Sequence, residues 1–257
     1  MNTHFPAFDL TSRVALLTGA GRGIGLGIAR GLAAAGCAVA IQDIDLNVAG
    51  QAADSINENG GRAVALGGDI TDLSTVTNLV QQTLNALGGL DILVNNAAIQ
   101  RQMNWLEVTP EEIERQFRAN ISAPVLLCQT AVPHFRAQRW GRILNIGSIQ
   151  GLKGNPGMLP YSMSKGAIQN MTKALARDLA PDGITVNNLA PGFFDTFRNE
   201  HEFPSEETKE EKGRKFVPAG RVGEPHDCAG LALLLCSDAG SYITGQTIYL
   251  DGGLSIK

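Results

Sequence analysis

The chain has 257 residues, of which 44% are hydrophobic and 18% are charged, and its formal net charge is -4. This composition suits one large core, and the acidic balance excludes a bulk electrostatic attraction to nucleic acid or to an anionic membrane. No apolar run approaches the ~18 residues of a membrane span, and the opening MNTHFPAFDL lacks the pattern of a signal peptide, so we expect a cytoplasmic protein.

Short runs rich in Val and Ile alternate with stretches of helical periodicity. Strands are predicted at VALLT (14–18), AVAIQD (38–43), AVALG (63–67), RILNIGS (142–148), TVNNLAP (185–191) and QTIYLDGG (246–253), and the fourth strand in chain order is predicted to lie within DILVNNAA (91–98). Helices are predicted at 24–36, 46–59, 72–87, 161–180 and 225–236, and a long one opens after Thr109, with Pro110 at its first position and Glu112 completing a capping box. This alternation predicts an α/β fold, a Rossmann-type doubly wound parallel sheet of about seven strands with helices on both faces.

No linker, repeat or low-complexity tract interrupts residues 1–257, so we predict a single domain. One segment, about 193–217, differs because it is dense in charge of both signs. It is either a solvated surface element or a substrate lid, and its position just beyond a strand's carboxyl end favours the lid. The four scattered cysteines, Cys37, Cys128, Cys228 and Cys236, lack the spacing of a metal site and are interpreted as reduced core residues.

The segment TGAGRGIG (18–25) joins the first strand to the first helix. Its glycines at 19, 23 and 25 permit a tight turn whose backbone N–H groups approach a pyrophosphate. The second strand ends at Asp43, whose carboxylate would accept hydrogen bonds from the adenosine ribose and repel a 2′-phosphate. Arg22 argues the other way because it would pair with that phosphate. We expect NAD, with NADP less favoured.

The segment PYSMSKGA (160–167) places Tyr161 and Lys165 at i and i+4 on one helical face. Hydride transfer between an alcohol and a nicotinamide requires a proton transfer at the substrate oxygen. A tyrosine has an ordinary pKa of about 10, which a neighbouring ammonium would lower. The pair is therefore interpreted as an acid–base device.

Four further features accompany these motifs: NNAA (95–98), Asn120 in RANIS, Ser148 in NIGS and the late DGG (251–253). Together they occur in the order and spacing of the short-chain dehydrogenase/reductase family, which the chain resembles over most of its length. Ala98 replaces a family glycine, and we expect only slightly tighter packing there. The resemblance implies catalytic roles for Asn120, Ser148, Tyr161 and Lys165. It implies cofactor contacts at Gly19, Arg22, Gly23, Ile24, Gly25, Asp43, Asp69, Ile70, Asn96, Ala97, Ala98, Tyr161, Lys165, Pro191, Gly192 and Thr196.

In that interpretation Tyr161 exchanges the proton, Lys165 also holds the nicotinamide ribose, and Ser148 hydrogen-bonds the substrate oxygen. Asn120 positions a water that links the lysine to solvent. The resemblance also implies a homotetramer, with the helices that carry Asn120 and Tyr161 and the last strand at its interfaces. No metal is expected.

The substrate is less clearly marked. Several segments resemble the sugar-acid branch of the family, the gluconate 5-dehydrogenases, in which an arginine shortly after NNAG binds the substrate carboxylate; that residue corresponds to Arg101. The predicted substrate contacts are Arg101, Ser148, Gln150, Lys153, Tyr161 and Phe193, with Arg198 and His201 closing from the lid. The candidate pocket walls are Met103, Trp105, Met158, Phe193 and Phe194.

We therefore predict an enzyme that oxidises an alcohol of a sugar acid, sugar or polyol with NAD. A 3-oxoacyl-thioester reductase using NADPH is the alternative, against which Asp43 counts. A non-catalytic cofactor-binding protein on the same scaffold is a third possibility, disfavoured by the intact set of Asn120, Ser148, Tyr161 and Lys165.

Overall fold

The computed structural model describes residues 6–197 and 203–257, and within them seven strands form one parallel sheet. The strand order is β3-β2-β1-β4-β5-β6-β7. The strands are β1 Val14–Thr18, β2 Ala38–Asp43, β3 Arg62–Gly67, β4 Ile92–Asn95, β5 Gly141–Ile146, β6 Ile184–Pro191 and β7 Thr247–Leu250. Every neighbouring pair is parallel, in a continuous register such as Leu16 beside Ala40 and Leu93. The predicted doubly wound sheet is confirmed.

Helices cover both faces of this sheet. They are α1 Gly23–Ala34, α2 Leu46–Glu58, α3 Leu73–Leu87, α4 Pro110–Phe117, α5 Ala123–Gln138, α6 Gln150–Lys153, α7 Leu159–Leu179, α8 Glu206–Phe216 and α9 Asp227–Cys236. A π-helical turn, Arg118–Ser122, joins α4 to α5 and carries Asn120. Neither this turn nor α6 follows from the sequence pattern, whereas α8 lies in the charged segment interpreted as a surface element or lid.

The alternating side chains of β1 show why the strands are apolar without interruption. Ala15 and Leu17 pack into one hydrophobic cluster, with α1, α2 and α9. Val14 and Leu16 pack into the other, with α3, α5 and α7. Successive side chains of a strand point to opposite faces, so a sheet covered on both sides needs apolar residues at every position.

The start of α4 matches its predicted cap in part. The Thr109 hydroxyl accepts a hydrogen bond from the backbone N–H of Glu112 at 3.3 Å, and Pro110 is the first helical residue. The Glu112 carboxylate, however, turns to Arg101 and Gln116 instead of closing a capping box. Within residues 6–197 and 203–257, no helix is long and apolar enough to cross a membrane.

Candidate active site

A cavity of about 1020 Å³ opens beyond the carboxyl ends of the strands, where the chain leaves β1 and β4 in different directions. This is the point at which open parallel sheets bind ligands. All the residues predicted to contact the cofactor line it, from Gly19 in the first turn to Thr196 beyond β6. Ser148, Tyr161 and Lys165 line it too, so the structure brings the glycine turn and the proposed acid–base residues to one space.

The glycine turn is open to an anion. Gly19 and Gly23 both have a φ of +58°, a conformation that side chains disfavour. Arg22 occupies the cap position of α1 in an extended conformation, and no side chain of the described residues caps the helix. The unsatisfied N–H groups of its first turn therefore fit a pyrophosphate, and a Cβ at Gly25 would come within 2.5 Å of Asn96 Nδ2.

Thr18 and Asn96 hold the two sides of the switch point together. The Thr18 hydroxyl accepts hydrogen bonds from the backbone N–H groups of Asn96 and Ala97, each at 3.1 Å. The Asn96 side-chain amide donates to the carbonyls of Thr18 and Gly19, at 2.9 and 2.7 Å. These four bonds fix the glycine turn against the loop after β4. Sequence reasoning assigned no role to Thr18, although it lies within the quoted glycine motif.

The end of β2 supports the same turn. The Asp43 carboxylate, 6% exposed, accepts from the N–H of Gly21 at 3.2 Å and from that of Asp45 at 3.3 Å. Gln42 accepts from the N–H of Gly19 at 3.1 Å and donates to the Gly68 carbonyl at 2.7 Å. Asp43 is therefore held beside the cavity in a fixed orientation, and Gln42, which the sequence analysis missed, also lines it.

Lys165 and Tyr161 lie on one face of α7, beside the end of β5. The Lys165 ammonium donates to the Ile146 carbonyl at 2.6 Å and lies 5.6 Å from the centre of the Tyr161 ring. The Ser148 hydroxyl accepts from the N–H of Gln150 at 3.1 Å, which leaves its own proton for another acceptor. All three side chains are less than a tenth exposed, yet each reaches the cavity wall.

Asn120 lies behind this wall, fully buried in the π-helical turn. Its side-chain oxygen accepts from the N–H of Ile99 at 2.7 Å, and its amide donates to the Ile99 carbonyl at 2.9 Å and to the Ser164 hydroxyl at 3.0 Å. Ser164 in turn donates to the carbonyl of Tyr161 at 2.7 Å. The side chain thus ties the loop after β4 to α7.

The far end of the cavity is lined largely by polar side chains. They are Gln100, Arg101, Gln102, Arg115, Gln150 and Asn155, with Met158, Phe193 and Phe194 as apolar walls. Arg101, Gln150, Met158, Phe193 and Phe194 are among the residues that the sequence singled out. Gln100, Gln102, Arg115 and Asn155 were missed, because nothing in their local pattern marks them.

Three residues that the sequence singled out for this end lie elsewhere in the structure. The Lys153 ammonium turns away and donates to the Leu254 carbonyl at 2.5 Å, so Lys153 lies outside the cavity lining. Met103 and Trp105 do not line the cavity either, and Trp105 is 54% exposed. Arg198 and His201 lie outside the described residues.

The segment after β6 completes the wall and contacts α8. Thr196 and Phe197 line the cavity, and the Arg22 guanidinium stacks 3.9 Å from the centre of the Phe197 ring. Lys209 of α8 pairs with Asp195 at 2.8 Å and with Glu224 at 3.2 Å. Hydrogen bonding to Asp195 raises the pKa of the Lys209 ammonium above its ordinary value.

The four cysteines are buried free thiols, in agreement with their interpretation as core residues. Burial raises the pKa of the Cys128, Cys228 and Cys236 thiols to about 12, so thiolate chemistry at neutral pH is disfavoured. Among the residues that the structure describes, no group of three or more His, Cys, Asp or Glu is arranged to hold a metal ion.

Comparison with known proteins agrees with this geometry. A family model described as enoyl-(acyl carrier protein) reductase matches residues 19–255. The 3-oxoacyl-[acyl-carrier-protein] reductase of Aquifex aeolicus is 37% identical over 246 residues, which cover 95% of this chain and 98% of that protein. The chain belongs to the short-chain dehydrogenase/reductase family. As a member of it, the chain is an NAD(P)-dependent oxidoreductase that acts on CH–OH groups, and the family prediction is confirmed.

Two relatives of this short-chain dehydrogenase act on a sugar acid by name. Gluconate 5-dehydrogenase of Gluconobacter oxydans is 34% identical over 255 residues, 99% of each chain. A crystal structure of a gluconate 5-dehydrogenase from Burkholderia cenocepacia, in complex with NADP and tartrate, is 36% identical and covers 98% of each chain with a TM-score of 0.90. The chain is thus similar both to carrier-protein reductases and to sugar-acid dehydrogenases.

Proposed function

We propose that this short-chain dehydrogenase transfers hydride between NAD and a secondary alcohol or ketone of a sugar acid, sugar or polyol. The observation that carries the proposal is the polar lining at the far end of the cavity, where Gln100, Arg101, Gln102, Arg115, Gln150 and Asn155 line the same space as Ser148 and Tyr161. A substrate with many hydroxyl groups would satisfy these donors and acceptors. An acyl chain would leave them unpaired, and unpaired polar groups in a desolvated site are costly.

A bound nicotinamide dinucleotide would accept or supply the hydride at its nicotinamide ring. Tyr161 would take the proton from the substrate hydroxyl in oxidation and return one to the ketone oxygen in reduction. Lys165, whose ammonium lies 5.6 Å from the Tyr161 ring centre, would favour the phenolate by its positive charge. Ser148 would donate to the substrate oxygen as negative charge develops there, because its hydroxyl proton is not required by the Gln150 N–H.

The preference for NAD over NADP is part of the proposal and rests on Asp43. Its carboxylate is held at the end of β2 by the N–H groups of Gly21 and Asp45, so it cannot easily swing away from an added 2′-phosphate. Arg22 lines the same region, but its guanidinium is stacked on Phe197. The Burkholderia cenocepacia relative was solved with NADP, which makes the choice a matter for measurement.

A 3-oxoacyl-thioester reductase using NADPH is the second candidate function. The carrier-protein reductase of Aquifex aeolicus favours it, and so does the apolar wall formed by Met158, Phe193 and Phe194. The polar side chains opposite that wall favour the hydroxylated substrate. A non-catalytic role would require that the cavity, with Ser148, Tyr161 and Lys165 all in its wall, supports no turnover at all.

One substrate panel separates these candidates. The enzyme is assayed by NADH and NADPH absorbance with hexonates, the corresponding neutral sugars and polyols, and a short 3-oxoacyl thioester. The proposal expects the highest kcat/KM for a hydroxylated substrate with NAD. A higher kcat/KM for the thioester with NADPH would overturn it, and cofactor binding without turnover of any of these substrates would favour a non-catalytic role.

We also propose a homotetramer with α5, α7 and β7 at its interfaces. Leu159 and Met163 support it, because both lie on α7 and are 39% and 48% exposed. Light scattering after size exclusion would measure the mass, and a monomer at micromolar concentration would contradict the assembly.

The segment 193–217 is likewise proposed as a substrate lid on the strength of Phe193, Phe194, Thr196 and Phe197, which line the cavity.

A further inference from the structure

Two arginines line the far end of the cavity, Arg101 and Arg115, and their electrostatic surroundings differ. The guanidinium of Arg101 lies 3.3 Å from a carboxylate oxygen of Glu112. That carboxylate is 7% exposed, and its other oxygen accepts a hydrogen bond from Gln116 at 2.9 Å. Glu112 is therefore fixed in place as the counter-ion of Arg101, and the charge of this arginine is already balanced.

Arg115 lies one turn further along α4, three positions after Glu112. It is exposed and lines the same cavity. Within residues 6–197 and 203–257, no carboxylate lies within ion-pairing distance of its guanidinium, because the adjacent Glu112 is directed to Arg101 and Gln116. Among the residues that the structure describes, Arg115 is thus a cationic side chain of the cavity lining that has no counter-ion.

We propose that Arg115 is the specificity-determining residue that receives the carboxylate of the substrate. A carboxylate brought to Arg101 would also approach the Glu112 carboxylate, and the repulsion between like charges would offset most of the attraction. At Arg115 no such repulsion arises, and a guanidinium can bind a carboxylate through two parallel hydrogen bonds. Arg101, which lines the cavity while Glu112 does not, then offers a donor to substrate hydroxyls.

This inference deepens the proposed function and rests on it, since it names a hydroxy acid within the class of sugar acids, sugars and polyols. It also changes the residue assignment made from the sequence. The resemblance to gluconate 5-dehydrogenases places the carboxylate receptor at Arg101, whereas the observed ion pair shifts that role to Arg115. The two assignments make different predictions for single substitutions.

Arg115→Met removes the charge and keeps an unbranched side chain. We expect the KM for a hexonate to rise about 10- to 100-fold, as for a lost charge-assisted hydrogen-bond pair, while the KM for the matching neutral polyol stays within about twofold. Arg115→Lys should recover part of the loss, because it restores the charge without the bidentate geometry. Arg118→Met is the matched control, since Arg118 is exposed on the following turn and does not line the cavity.

Glu112→Gln tests the electrostatic argument by removing the negative charge instead of a positive one. It removes the negative charge beside Arg101, so the KM for the hexonate should fall about two- to tenfold, with the neutral polyol again unaffected. A hexonate-to-polyol selectivity that is unchanged in Arg115→Met but lost in Arg101→Met would return the carboxylate to Arg101 and overturn the proposal. A loss confined to a 3-oxoacyl thioester in Arg115→Met would overturn it as well.

A binding measurement separates failure of this inference from failure of the proposed function. Gluconate is titrated calorimetrically into the wild-type enzyme with saturating NADH, where no oxidation can occur. Weaker binding in Arg115→Met than in Arg118→Met supports the anion receptor even if no sugar acid is turned over. Equal affinities in the two variants refute the receptor even if the wild-type enzyme oxidises hexonates.

Discussion

Replacing Lys209 with methionine should loosen the part of the cavity wall that follows β6. Lys209 is 15% exposed on α8, and its ammonium lies 2.8 Å from Asp195, 3.2 Å from Glu224 and 3.7 Å from Glu206. Asp195 immediately precedes Thr196, which lines the cavity. The substitution keeps the side-chain length but leaves the Asp195 and Glu224 carboxylates close together without the cation between them.

The expected loss of unfolding free energy lies between the value for an exposed ion pair and the value for a buried one. An exposed pair contributes about 0.2–1 kcal/mol, and removing one partner of a buried pair costs about 3–5 kcal/mol. Asp195 and Glu224 are 32% and 43% exposed, so water screens them, and backbone hydrogen bonds between Phe193, Gly223 and Asp195 also hold the segment. We therefore expect a loss of about 2 kcal/mol, or about 4–8 °C in Tm for a domain of this size.

The assay combines thermal unfolding with cofactor kinetics. Lys209→Met should lower Tm by that amount and raise the KM for NAD about tenfold, because Thr196 is no longer held against the cofactor cavity. Hydrogen bonding to Asp195 raises the pKa of Lys209, so its stabilising effect is fully present below about pH 10 and the change in Tm should be equal at pH 6 and pH 8. Lys215→Met, an exposed position on the same helix, is the control. A change in Tm below about 1 °C, with an unaltered KM, would refute the reasoning.

Three further substitutions test other parts of the site and fold. Tyr161→Phe should lower kcat by at least about a hundredfold while NAD affinity, measured by fluorescence titration, stays nearly intact; substantial residual turnover would contradict the acid–base role. Asp43→Asn should raise the ratio of kcat/KM with NADP to that with NAD by about tenfold, whereas an unchanged ratio would count against the predicted repulsion. The hydrogen bond from Arg221 lowers the pKa of Asp227 to about 2, so Asp227→Asn should lower stability by about 1 kcal/mol at pH 7 in urea unfolding. This difference should narrow as the pH falls from about 4 towards 2, and a difference independent of pH would exclude the charged pair as its cause.

Strand boundaries show how far local patterns determine the fold. The predicted first strand, 14–18, coincides with β1, because both of its faces are covered and the apolar run ends where the glycine turn begins. The fourth strand, predicted to lie within 91–98, covers only Ile92–Asn95 of that range. The next two N–H groups, of Asn96 and Ala97, are taken by the Thr18 hydroxyl from a different strand, which the local sequence does not reveal.

The residues of the site likewise divide into those that a local motif predicts and those whose position depends on a distant part of the chain. Residues predicted from a motif within one segment, such as Gly19 or Lys165, line the cavity as expected. Residues whose position depends on a distant partner were harder to predict. Lys153 is drawn to the carbonyl of Leu254, 101 positions away, and the π-helical turn that carries Asn120 has no distinguishing pattern in its residues.

The sequence alone indicated the order of strands and helices along the chain, the family and the proposed proton-transfer pair, because each depends on periodicity or on residues a few positions apart. Only the tertiary structure decided which charged side chains meet at the far end of the cavity. The ion pair between Arg101 and Glu112 joins the loop after β4 to α4, and Arg115 is left without a counter-ion among the described residues. The YSMSK segment therefore indicates the proposed proton transfer, whereas the proposed selection of the substrate depends on contacts that only the folded chain creates.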